Sequence, residues 1–308
     1  MNSSPAVLIN TNLPLPLFRR GKVRDVYGLD DRLLIVSTDR ISAFDVVLPC
    51  GIPDKGRVLN QLSAFWFKKT AHILPNHLIK AIDGNVILNE VKNLSGEPGE
   101  LGDSLIGRSM LVTKAERIPV ECVVRGYLSG SAWAEYKETG KVSGISLPQG
   151  MEESQELSQP IFTPTTKSDT EHDRPLTNQD IKGLGIEDIF KELEQKSLGI
   201  YSYARDYAKR RGIIIADTKF EFGFINGQLA LIDELLTPDS SRFWDASQYE
   251  VGHSQPSFDK QPVRDWLVDR GWDRKPPAPM LPPEVIERTS KRYREVYSKL
   301  TGGVLKEK

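Results

Sequence analysis

Apolar and polar positions alternate most clearly between Ile213 and Trp244, in the run IIIADTKFEFGFINGQLALIDELLTPDSSRFW. Side chains on a strand alternate between two faces, so Asp217, Lys219 and Glu221 share one face and Phe220, Phe222 and Phe224 the other. Asn226-Gly227 marks a turn, and a second strand, Leu229 to Ile232, returns toward Asp233-Glu234 and a Pro-Asp-Ser-Ser-Arg turn. Charged residues at alternate positions are the ordinary signature of a solvated strand face. Apolar flanks on both sides argue instead for a buried strand, where charges need partners such as a divalent cation. Register is the deciding detail. A three-residue loop, Ile225-Asn226-Gly227, is expected, pairing Lys219 with Asp233 and leaving Glu221 diagonal to it. A two-residue turn would pair Glu221 with Ile232.

The rest of the chain follows the same logic. Residues Met1 to Pro16 read as an extended lead-in. A strand over Phe18 to Tyr27, a turn at Gly28 to Asp31 and a strand over Arg32 to Thr38 form a hairpin. Its first strand points Lys22 and Arg24 the same way beside Gly21, an arrangement that suits a polyphosphate as well as an ordinary basic strand face. Val58 to Thr70 has the spacing of an amphipathic helix with Leu59, Leu62, Phe65 and Trp66 inward. Ser109 to Lys114 reads as a strand, Ala115 to Pro119 as a break, and Val120 to Tyr127 as another strand. That break places a lobe boundary near Glu116, giving lobes 1–116 and 117–308. Further helices are expected over 132–139, 180–211, 261–270 and 283–300, with a loop over 140–159.

Several polar clusters stand outside this pattern. Asp39, Arg40, Ser42 and Asp45 crowd a strand end, where turn and capping chemistry is the plain explanation. Arg125 precedes a small-residue run ending in Ser131 at a helix start, a natural anion site that a serine cap and a surface arginine explain equally. The run 160–173 holds Lys167, Asp169, His172 and Asp173 with little to bury, which suggests a binding loop or lid.

Composition narrows the classes. The chain has 308 residues with 41 basic and 42 acidic side chains, a net charge of −1 that argues against bulk attraction to nucleic acid or anionic membrane. Two cysteines, Cys50 and Cys122, lie far apart among apolar neighbours, so buried thiols are expected rather than a disulfide or zinc site. No run approaches the roughly 18 apolar residues of a membrane span and no signal-peptide layout opens the chain, so a cytoplasmic protein is expected. Neither a Walker A loop nor a Rossmann glycine fingerprint occurs.

Taken together, GKVRDVY (21–27), STDRISAFD (37–45), GRVLNQLS (56–63), IPVECVVRGYLSGSAW (118–133), FTPTTKSDTEHD (162–173), ADTKFEFG (216–223) and IDELLTPDSSRFW (232–244) make the chain resemble the SAICAR synthetase family of purine biosynthesis. The resemblance implies an α+β fold with a small antiparallel β lobe, a larger α+β lobe and a kinase-like ATP cleft between them. It implies a carbon–nitrogen ligase that joins L-aspartate to a carboxylated aminoimidazole ribonucleotide, CAIR, spending ATP with Mg2+. By the same resemblance Gly21, Lys22 and Arg24 hold the phosphates, and Thr113, Lys114, Arg117 and Glu121 lie along the nucleotide. Glu221 and Asp233 carry the metal, Lys219 and Asp217 serve catalysis, and Arg125, Ser131, Asp239 and Arg242 hold CAIR. The segment Asp39, Arg40, Ser42 and Asp45, with the lid residues Lys167, Asp169, His172 and Asp173, is expected to order aspartate. Arg24 stands where some relatives have lysine, and the length is similar to yeast-like forms, which implies a monomer. A small-molecule kinase and a non-catalytic nucleotide-binding protein remain the competing readings.

Overall fold

Alternation with a period of two dominates the first third of the chain, and it folds there as antiparallel sheet. The computed structural model describes residues 7–82, 104–167 and 174–305. Strands β1 (Leu17–Arg20), β2 (Arg24–Leu29) and β3 (Arg32–Ser37) are followed by a small hairpin, β4 (Arg40–Ala43) and β5 (Val46–Gly51). Helix α1 (Lys55–Thr70) buries Leu59, Leu62 and Trp66, as its spacing predicts. Strands β6 (Leu78–Ala81) and β7 (Ser109–Thr113) complete a five-stranded sheet of order β1-β2-β3-β7-β6. The single strand expected over Phe18 to Tyr27 is thus two, because Gly21 to Val23 form a turn closed by the Gly21 amide donating to the Arg24 carbonyl at 2.8 Å.

A second sheet carries the rest. Strand β8 (Glu116–Tyr127) leads to α2 (Ser131–Thr139) and to the short strands β9 (Lys141–Val142) and β10 (Ile145–Ser146). Strands β11 (Glu156–Phe162) and β12 (Thr165–Thr166) precede α3 (Asn178–Gly183) and α4 (Glu187–Lys209). Then come β13 (Ile213–Ile225), β14 (Gln228–Ile232), β15 (Ser241–Asp245), α5 (Gln261–Asp269) and α6 (Pro283–Thr301). The main path is β11-β8-β13-β14, with β12 on β8 and β15 on β13. Parts of the expected 140–159 loop and of the single 180–211 helix are therefore resolved into strands and into two helices.

The break expected at Pro119 is absent, and β8 runs through it. Glu221 faces Glu121 while Gly223 faces Arg117, so residues 118–120 all oppose Phe222. Proline lacks an amide for the ladder, and a bulge is where a strand tolerates that. Helix α4 presents Leu193, Ile200, Tyr201, Ala204 and Ala208 to the core, at the three- and four-residue spacing of one helix face. Tyr201 donates its hydroxyl to the Ile215 carbonyl at 2.7 Å. A side chain at Gly126 would overlap that hydroxyl, which is why glycine interrupts an otherwise apolar strand. Phe220 and Phe222 are fully buried in the same core, with Cys122, a free thiol. Among the described residues no helix is long and apolar enough to cross a membrane.

The hairpin register differs from the expected one. Asn226 and Gly227 both have positive φ, 50° and 77°, and form a two-residue turn that pairs Ile225 with Gln228 and Glu221 with Ile232. Asn-Gly is the sequence best suited to that turn, whose twist matches the strands it joins. Lys219 therefore does not pair with Asp233.

Candidate active site

Strand β13 separates two clefts, and the polar face predicted from its alternation lines both. Its apolar residues hold it in the core, so the side chains pointing the other way are fixed on a rigid support. Lys219 and Asp217 line a cleft of about 520 Å³, whereas Glu221 lines a second cleft of about 550 Å³.

The second cleft is largely apolar. Val26, Leu33 and Ile35 come from the N-terminal sheet, Thr113 from the end of β7, Lys114 from the connection to β8, Arg117 from the start of β8, and Ile232 from β14. Glu221 and Asp233 line it as well. The ladder stops at Ile232, and Asp233 takes a φ of 67°, so its carboxylate leaves the strand and lines the same cleft as Glu221 despite the two-residue turn. Arg24 donates to Asp233 at 2.6 Å and lies 3.7 Å from Glu234. Burial pushes the Glu221 carboxyl up to about 7, with the charge of Asp233 adding to it. Burial also acts against ionised Asp233, but the Arg24 cation outweighs it and holds that carboxyl at about 2. His77, buried at the wall of the same cleft, is held near 4 by desolvation.

Between the clefts runs an alternating row of charge. Lys167 donates to Glu121 at 2.9 Å and to Glu221 at 2.8 Å, and Lys219 donates to the other Glu121 oxygen. Glu121 and Glu221 face each other across β8 and β13, so two like charges are brought together and are separated by lysine. Burial disfavours charged Glu121, and the two ammonium groups more than offset it. Among the described residues no group of three or more His, Cys, Asp or Glu side chains is placed to hold a metal ion. Glu221 and Asp233, which line the same cleft and are paired with Lys167 and Arg24, are hard-oxygen groups of the kind that could hold a divalent cation, and Mg2+ needs only one or two carboxylates beside phosphate oxygens.

The first cleft is built from charge and hydroxyl groups. Arg125 donates to Thr163 at 3.0 Å, to Ser131 at 3.3 Å and to Asp217 at 3.4 Å, and Arg242 also donates to Asp217. Asp217 is thereby neutralised by two arginines. Thr237 to Ser241 form a tight turn in which the Ser240 and Ser241 amides donate to the Thr237 carbonyl at 3.1 and 2.8 Å, presenting Asp239 to the cleft. Ser42 and Asp45 line it as well. Lys22 donates to Asp45 at 2.6 Å with both side chains largely exposed, while Arg24 faces the carboxylates of the second cleft. The two cations expected to point the same way thus serve different neighbours.

Two expected substrate residues lie elsewhere. Asp39 is fully buried, accepting from the Gly56 and Leu8 amides at 2.9 and 2.8 Å and pairing with Arg108 at 2.9 Å. Arg40 pairs with buried Asp25 at 2.7 Å and donates to the Gly21 and Ile9 carbonyls at 3.0 and 2.6 Å. Neither lines either of these clefts; Asp39 ties the start of α1 to the N-terminal segment, and Arg40 braces the glycine turn and the N-terminal segment. Lys167 touches Glu121 and Glu221 rather than standing free in a lid. Asp169, His172 and Asp173 lie outside the described residues.

Lys260 and Arg264 also line the first cleft, and the sequence reading passed over them. Their four-residue spacing across the start of α5 puts them side by side, a signal that a helix expected to begin only at residue 261 does not show.

Against known proteins, residues 17–279 match the family model described as SAICAR synthetase. The phosphoribosylaminoimidazole-succinocarboxamide synthase of Thermodesulfovibrio yellowstonii is 51% identical over 299 residues, spanning 96% of this chain and 99% of that one. That of Geotalea uraniireducens is 50% identical over 298 residues, spanning 96% and 98%. Among solved structures, SAICAR synthase from Saccharomyces cerevisiae complexed with SAICAR aligns with a TM-score of 0.87 at 45% identity, covering 96% of this chain and 99% of that chain. A SAICAR synthetase in complex with ADP aligns with a TM-score of 0.67 at 27% identity, covering 93% and 98%. The chain belongs to the SAICAR synthetase family.

Proposed function

We infer that this protein is the ATP-dependent ligase that condenses L-aspartate with the carboxylate of CAIR to give SAICAR, ADP and phosphate, with ATP in the apolar cleft and CAIR in the charged one. The observation that carries the division of the two clefts is the placement of Lys219 in one and Glu221 in the other, two residues apart on a single strand face. An apolar slot suits a purine base, and a cleft with Arg125, Arg242, Lys260 and Arg264 suits a phosphorylated ribonucleotide.

A carboxylate is a poor acceptor for an amine until one oxygen becomes a leaving group. In this reading a CAIR carboxylate oxygen attacks the γ-phosphorus, ADP departs, and an acyl phosphate forms. The aspartate amine then attacks the acyl carbon, loses a proton, and phosphate leaves carrying the original carboxylate oxygen. Lys219 stands at the seam to neutralise the charge moving between the clefts, and Asp217 holds Arg125 and Arg242 in place for the ribonucleotide. Gly21, Lys22 and Arg24 border the phosphates, while Thr113, Lys114 and Arg117 flank the base. Glu121 keeps Lys219 and Lys167 apart and oriented. Ser42 and Asp45, with Lys167, Asp169, His172 and Asp173, order aspartate. Mg2+, held by Glu221 and Asp233, supplies charge neutralisation at the phosphates.

The lobe division near Glu116 belongs to this reading, since β7 ends in the first sheet and β8 begins the second. So does the kinase-like placing of ATP between the lobes. A cytoplasmic monomer is proposed as well, and sedimentation at the mass of one chain tests its stoichiometry. The activity is tested by ADP release with CAIR alone, aspartate alone and both. Strict dependence on both substrates is the expected result, and release with CAIR alone would make the protein a kinase.

A further inference from the structure

Asp239 is the acidic residue of the charged cleft whose two oxygens are both held by groups remote in sequence. Lys55, at the start of α1 and fully buried, pairs with Oδ2 at 2.7 Å. Tyr293, in α6 and also fully buried, donates its hydroxyl to Oδ1 at 2.7 Å. The Lys55 ammonium lies 5.7 Å from the centre of the Tyr293 ring, so the two clamp groups also touch each other's surroundings.

We propose that Tyr293 is a positioning residue for CAIR: together with Lys55 it fixes the Asp239 carboxylate in the one orientation that receives the ribonucleotide. This rests on the assignment of the charged cleft to CAIR. A carboxylate held at one oxygen alone still turns about its last bond; held at both, it presents its remaining lone pairs in fixed directions. Burial opposes its ionisation, but Lys55, Lys260 and the two hydrogen bonds more than compensate, keeping Asp239 ionised well below the usual carboxylate range.

Tyr293→Phe removes only the hydroxyl and leaves the ring in the core. Calorimetric titration of CAIR into the full chain is compared for wild type, Tyr293→Phe, Asp239→Asn and the double variant, with steady-state KM for each substrate. Tyr293→Phe is expected to weaken CAIR binding about tenfold, the size expected for a lost hydrogen bond to a charged group. KM for ATP and aspartate and kcat should stay within about twofold, a selectivity that mere loosening of α6 would not produce. In the Asp239→Asn background the Tyr293→Phe change should have no further effect. Wild-type CAIR affinity in Tyr293→Phe, equal weakening of all three substrates, or losses that multiply in the double variant would each overturn the inference. Unchanged CAIR affinity in Asp239→Asn would overturn the assignment of Asp239 itself.

Discussion

The two clefts on either side of β13 are built from opposite materials. One is walled by Val26, Leu33, Ile35 and Ile232, with Arg19, Lys114, Arg117, Glu221 and Asp233 as its charged lining. The other has Arg125, Asp217, Lys219, Asp239, Arg242, Lys260 and Arg264 within it; Arg125 and Arg242 pair with Asp217, while Asp239, Lys219 and Arg264 pair with Lys55, Glu121 and Asp259. The apolar cleft recognises by shape and area, so it tolerates a change of one hydrogen-bonding group but not a change of volume. The charged cleft recognises through groups whose positions depend on their neighbours, so removing one leaves a second misplaced or unpaired.

This contrast is sharpened most by the residue at the seam. Lys219→Met should lower kcat by about 10²- to 10³-fold, the loss typical of one charge-stabilising donor, with KM for CAIR and ATP little changed in initial-rate assays. Next in size, Arg242→Ala should weaken CAIR binding roughly thirtyfold, because Asp217 is left with Arg125 alone, while affinity for ATP is unchanged by calorimetry. Ile35→Trp should do the reverse: the ring fills the apolar cleft, ATP affinity falls by about tenfold or more, and CAIR affinity stays as in wild type. Smallest is Ser131→Ala, expected to raise the KM for CAIR about threefold because Arg125 loses one of the three side chains that position it. A variant on one side that weakened the ligand of the other would break the division.

Much of this arrangement was legible in the residues. The β13 alternation placed Phe220 and Phe222 in the core and Asp217, Lys219 and Glu221 on the working face, because a two-residue period leaves no choice of face. The α1 stripe was equally determined. What eluded sequence reasoning depends on contacts between distant segments. Asp233 reaches Glu221 not through the expected bulge but by leaving the strand at a positive φ. Asp39 and Arg40 read as substrate groups, and only the buried partners Arg108 and Asp25 reveal them as braces. Lys167 looked like a lid residue, and its place between Glu121 and Glu221 follows from the pairing of β8 with β13. Tyr293 carried no signal at all, since its partner lies 54 residues away in sequence.

The claim that the two clefts open onto one reaction centre is tested most directly by the path of one oxygen atom. CAIR labelled with ¹⁸O in its carboxylate is turned over with ATP and aspartate, and the released phosphate is analysed by mass spectrometry. Direct transfer of the γ-phosphoryl group onto CAIR predicts one labelled oxygen in each phosphate formed. Phosphate free of label, with both ¹⁸O atoms accounted for elsewhere, would contradict it.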